Sequence, residues 1–113
     1  MALFGALRPG ISAADLQEIA RSELDAAGLT PYLQTGPLLH GIGVGAAEPP
    51  WIPGPGQPFD LILEEGMCFS SVPTLQVPDV PGGGGVRLED QLIITAAGAD
   101  ILTRAPYDER LLL

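Results

Sequence analysis

A helical front followed by a strand-rich remainder is what the sequence predicts, a mixed α and β chain. A capped amphipathic run covers residues 13–27, and short runs rich in branched or aromatic residues recur around 39–45, 67–72, 86–88 and 91–95. The chain as a whole holds 15 glycines and 12 prolines, the residues that most often break regular structure.

The helix is the best-marked element. Ser12 is a good N-cap, and Asp15 three residues on completes a capping-box pattern. Leu16, Ile19, Ala20, Glu23 and Leu24 then recur as one helix face, with Glu23 as its polar interruption, and Gly28 ends the run. Ahead of the cap, Arg8-Pro9-Gly10 is a turn, because Pro9 fixes its own φ and Gly10 accepts a positive one. Behind the helix, the run Pro49–Pro58 (PPWIPGPGQP) predicts a long loop without regular structure, from which Trp51 packs over the sheet or lines a pocket mouth. Gly82–Gly85 predicts a flexible hairpin connection; it lacks the GxGxxG spacing and strand-to-helix setting of a phosphate-binding loop. Ala96–Asp100 reads as a turn between strands at 92–95 and 101–103. No internal repeat is visible.

Composition narrows the function classes. A chain of 113 residues suits one small domain spanning 1–113, and a hydrophobic fraction of 46% argues against disorder. No apolar run reaches the roughly 18 residues of a membrane span, and the start MALFGALRPG lacks the layout of a secretory signal, so the expectation is a cytoplasmic protein away from membranes. The lone cysteine, Cys68, has no partner for an intramolecular disulfide, and its alternatives are a core residue or a reactive thiol. Net charge is −9, and the five basic residues are all arginines scattered along the chain, which argues against nucleic acid as a partner.

Several separated stretches carry a resemblance in order and spacing: LRPGISAADLQEIARSELDAAGL, HGIG at 40–43, EPP at 48–50, EGMCF at 65–69, GGVRLEDQLIIT at 84–95 and AGADILT at 97–103. Together they resemble the C-terminal half of the catalytic domain in the pita-bread metallopeptidases, a family that includes aminopeptidase P, prolidase, methionine aminopeptidase and creatinase. The resemblance implies an α+β fold, half of a pita-bread, with the N-terminal helix packed on a curved antiparallel sheet. It also implies a chemistry. Family members bind two divalent metals through two aspartates, one histidine and two glutamates, and a bridging hydroxide attacks the scissile carbonyl. His40 matches the ligand histidine and Glu89 the last ligand glutamate. The other glutamate falls at Val72, the second histidine of the family at Ala47, and Leu39 replaces a glycine, while Glu48 and Pro50 are kept. The two aspartates belong to the half this sequence does not contain.

The resemblance therefore implies catalytic roles for His40 and Glu89, and metal-binding roles for both only where a partner supplies further ligands. No cofactor is expected on the isolated chain; manganese, zinc or cobalt is expected if the site is completed. The alternatives for these residues are a buried neutral imidazole at His40 and a simple ion pair of Glu89 with Arg87, two residues away on the same strand face. Arg87, Glu48 and Trp51 are the candidate ligand-binding residues, for a small molecule or a peptide. Asp90 is expected to face the other way and to be structural. Half of a two-half sheet would expose an edge and apolar surface, so the expected partner is a second copy or a separate polypeptide like the N-terminal half, unless the sequence is a piece of a longer protein. Two functions follow. One is a noncatalytic binding or assembly subunit. The other is a dimeric or split hydrolase with a mononuclear or metal-free site, in which His40 moves protons and Arg87 holds a substrate anion.

Overall fold

The computed structural model describes residues 2–34, 36–81, 83–108 and 110. Helix α1 (Ala2–Ala6) and helix α2 (Ala13–Ala26) lead the chain, and a short 3₁₀ turn at Thr30–Tyr32 follows. Strands β1 (Pro37–Gly41), β2 (Glu48–Pro53), β3 (Cys68–Ser71), β4 (Thr74–Val77), β5 (Gly84–Arg87), β6 (Asp90–Thr95) and β7 (Gly98–Ile101) make up the rest. Five strands form one antiparallel sheet in the order β2-β1-β3-β6-β7, and β4 and β5 form a separate two-stranded ribbon. The α+β class implied by the sequence is the class observed.

Local chemistry starts and stops α2 where expected. Ser12 Oγ accepts the Asp15 N–H at 3.0 Å and donates to the Asp15 carboxylate at 2.7 Å. Gly28 closes the helix at φ +69°, with its N–H on the Asp25 carbonyl at 3.0 Å. Gly10, at φ +84°, makes the turn ahead of the cap. Glu23, the polar interruption of the apolar face, accepts the Ala2 N–H at 2.6 Å and the Leu3 N–H at 3.3 Å, so its carboxylate satisfies the open start of α1. Gln17 is buried on the same helix. Its Nε2 reaches the carbonyls of Pro53 at 3.1 Å, Gly54 at 3.3 Å and Gln57 at 2.8 Å, lashing the helix to the proline-rich segment.

Several strand expectations need correction. The first half of Pro49–Pro58 is not irregular: Glu48–Pro53 pairs with β1, and β2 is the last strand of its sheet. A proline lacks the N–H that a central strand needs from both sides, but an edge strand can leave that side unpaired. Gly84 and Gly85 belong to β5 and not to the connection, which is carried by residues 78–83 with Gly83 at φ +69°; Gly82 lies outside the described residues. Gly98, Ala99 and Asp100 belong to strand β7 (Gly98–Ile101), and the turn before it narrows to Ala96-Ala97. β1 stops at Gly41 where a strand to residue 45 was expected, while α1 and β4 carried no clear signal in the sequence.

The core lies between the helices and one face of the sheet. Leu39, Ile52, Phe69, Leu92 and Ile94 pack with Leu3, Leu7, Ala13, Leu16 and Ala20, all buried. Alternation along the strands sends Ser70 to the opposite face, and cross-strand pairing places His40 beside both Ser70 and Trp51 there. Beyond β7, Asp90 accepts the Thr103 hydroxyl at 2.7 Å and the Tyr107 hydroxyl, which pins the following segment to the helix side. That bond holds the Tyr107 phenol above its ordinary pKa, since ionisation would break it. No described helix is long and apolar enough to cross a membrane.

Replacing Ser12 by alanine removes the cap of α2 and is expected to lower unfolding free energy by about 1 kcal/mol, read from urea denaturation.

Candidate functional site

The candidate site is built on β1, which pairs with β2 on one side and β3 on the other. His40 sits at its C-terminal end and is only 4% exposed. Its Nδ1 lies 3.0 Å from the Gly41 carbonyl. A carbonyl can only accept, so Nδ1 carries the proton and the Nε2 lone pair remains available as acceptor or donor atom to a ligand. The indole of Trp51 lies across the imidazole, with centroids 5.3 Å apart and planes tilted by 43°. Trp51 thus packs over the sheet while remaining 43% exposed, a lid on His40 that also faces outward.

Gly41 explains why this corner admits only glycine. A Cβ there would stand 2.5 Å from the Pro49 carbonyl oxygen and 2.9 Å from that of Glu48, both backbone atoms that cannot swing away. The neighbouring loop 42–47 is tied by Glu48, whose Oε2 accepts the Gly45 N–H at 2.8 Å. The Glu48 carboxylate also occupies the space that a side chain at Gly43 would need. Glu48 is turned into its own loop, and Ala47 is exposed in that loop.

Across β3, Ser70 is fully buried and donates its hydroxyl to Glu89 Oε1 at 2.7 Å. The other oxygen, Oε2, meets Arg87 at 3.3 Å. Both carboxylate oxygens of Glu89 are therefore held, and the expected Arg87–Glu89 adjacency is present. With both side chains about half exposed, that ion pair is worth roughly 0–1 kcal/mol and mainly fixes direction. His40, Trp51, Ser70, Glu89 and Arg87 form one connected group, and Glu48 stands apart from it. Ser70 was missed by sequence reasoning. Its only signal in the sequence was a polar residue next to Phe69 in a short strand run.

Val72 is buried, 3% exposed, with its N–H on the Leu38 carbonyl at 3.1 Å. An isopropyl group offers no donor atom at the position where the resemblance expects a ligand glutamate. Among the described residues, no group of three or more His, Cys, Asp or Glu side chains is placed to hold a metal. His40 has the tautomer of a metal ligand and Glu89 the charge of one, but two donors from one chain do not make a dinuclear site. The residues present do not fit a metal pair unaided.

Comparison with known proteins decides the ancestry. The pattern of metallopeptidase family M24 matches residues 1–96. The chain belongs to that family. It is 39% identical over 107 residues to the Xaa-Pro dipeptidase of Lactobacillus helveticus, covering 95% of this chain and 27% of that protein. It is 38% identical over 109 residues to the probable dipeptidase PepE of Mycobacterium tuberculosis. Among solved structures, dipeptidase PepE from Mycobacterium ulcerans superposes with a TM-score of 0.77 at 37% identity, covering 93% of this chain and 26% of that one. The prolidase from Pyrococcus horikoshii does so with a TM-score of 0.77 at 31% identity, covering 93% and 28%. The M24 chain thus spans about a quarter of the length of these relatives, which accords with half of a pita-bread domain.

Gly41→Ala is expected to cost about 2–3 kcal/mol in chemical denaturation, because two backbone carbonyls block the new methyl group. Gly43→Ala is expected to cost less, since only the movable end of Glu48 has to give way.

Proposed function

We propose that this chain is a degenerate M24 half-domain acting as a noncatalytic binding or assembly subunit, completed by a second copy or by a polypeptide like the missing N-terminal half. What supports this reading is Val72, which is buried and offers no donor atom where the resemblance expects a ligand glutamate, while Ser70 and Arg87 each hold one oxygen of Glu89. A site short of donors on one face cannot polarise a scissile carbonyl through a metal pair, yet it keeps a shaped, partly charged surface. Arg87 supplies the anchor for an anion, and Trp51 an exposed aromatic face over His40. A second half would also cover apolar residues that are exposed here, including Val86, Leu88, Ile101 and Leu102. It would not add to the sheet at β2, where prolines remove the donors, whereas β7 has no such block. A single cysteine with no disulfide partner suits a reducing cytoplasm.

A second reading has its own support. The Nδ1–H tautomer of His40 leaves Nε2 free to take a proton or a metal, and Glu89 is tied to the same face through Ser70. In that case the chain is a subunit of a dimeric or split hydrolase, and a partner's carboxylates join His40 and Glu89 around one divalent metal, or none. What this chain contributes is a buried base and a fixed carboxylate.

Purified chain given manganese and Xaa-Pro dipeptides is expected to release no product, and native mass spectrometry to show more than one subunit without a bound metal pair. If turnover appears, His40→Ala separates the readings: the hydrolase requires activity to vanish while circular dichroism stays unchanged.

A further inference from the structure

A cleft of about 270 Å³ opens beside Val72, between the start of β1, the end of β2 and the β4–β5 ribbon. Leu33, Pro37, Val72 and Pro73 give it apolar walls, and Gln34 and Arg87 bring N–H donors. In a chain of net charge −9, the lining of this cleft holds one full positive charge and no carboxylate. The larger groove on the helix side, by contrast, includes both Glu23 and Asp90. A guanidinium has five N–H donors in a planar fork, and Arg87 gives one nitrogen to Glu89 at a long 3.3 Å. Donor capacity therefore remains on a cation that borders an apolar hollow.

We propose that this cleft binds a small aliphatic monocarboxylate, with its carboxylate on Arg87 and Gln34 and its chain over Val72, Pro37 and Leu33. A cleft of about 270 Å³ suits a short acid. Val72 has a consequence here: it brings an apolar side chain and no charge to the cleft wall. Glu89 acts as an internal competitor for the guanidinium, so it sets the affinity. The inference rests on the reading of the chain as a binding subunit and names what it binds.

Hexanoate is the probe, titrated into the purified chain and followed by amide and methyl NMR shifts, with hexylammonium and hexan-1-ol as controls. Saturable hexanoate shifts at Val72, Gln34 and Arg87 are expected. Arg87→Gln is expected to weaken binding about ten-fold or more without moving the unfolding midpoint, Arg87→Lys to retain part of it, and Glu89→Gln to tighten it several-fold by removing the competitor. A merely structural role for Glu89 would not give that gain. Absence of saturable binding, binding unaffected by Arg87→Gln, or hexylammonium binding at least as well as hexanoate would each overturn the proposal. The two readings fail separately. No hexanoate binding with no peptide cleavage sinks the cleft and leaves the noncatalytic subunit, whereas cleavage of Xaa-Pro dipeptides together with hexanoate binding removes the noncatalytic reading and keeps the cleft.

Discussion

Everything in this chain depends on strand β1 being paired on both sides. Its pairing with β2 brings the backbone of Gly41 so close to Glu48 and Pro49 that no side chain fits between them. Its pairing with β3 sets His40 beside Ser70. One strand thereby fixes the imidazole, the aromatic ring that covers it and the hydroxyl that reaches Glu89. The helices act from the other face, where Leu16 and Ala20 bury Leu39, Phe69 and Leu92 and hold the sheet in place.

The polar group on the open face is organised but modest in energy. Ser70 is buried and its bond to Glu89 is short, so it directs the carboxylate; the half-exposed pair with Arg87 adds little stability. Position and not strength is what the arrangement provides. The sheet keeps His40 and Glu89 on one connected face, while Val72, just past the end of β3, brings an aliphatic side chain beside them. Scaffold and chemistry are separable for that reason, since the sheet is held by backbone pairing and apolar packing that none of the polar side chains supplies.

Legibility differed by the range over which each signal acts. The α2 boundaries were readable because Ser12, Asp15 and Gly28 act on backbone groups within a few residues. Strands β3 and β6 were readable from the apolar residues they bury, Phe69 in one and Leu92 and Ile94 in the other. The proline-rich strand was not, because the lack of an N–H matters only on a strand with neighbours on both sides, and being an edge is a property of sheet order. The Arg87–Glu89 pair followed from two-residue spacing, but its third member, Ser70, is 19 residues away from Glu89 and came together with it only through sheet pairing. Glu23 looked like a flaw in an apolar face until α1 was placed against it.

By itself the sequence determined the family, the mixed class, and the cap and stop of α2, because these are carried by residue identity and short spacing. Only the tertiary structure decided that the prolines of β2 form an edge strand, that His40 holds its proton on Nδ1 under Trp51, and that Ser70 clamps Glu89. Each of these depends on which strands lie side by side, and that is settled by burying the apolar face of the whole sheet against the helices, a free energy no local window contains.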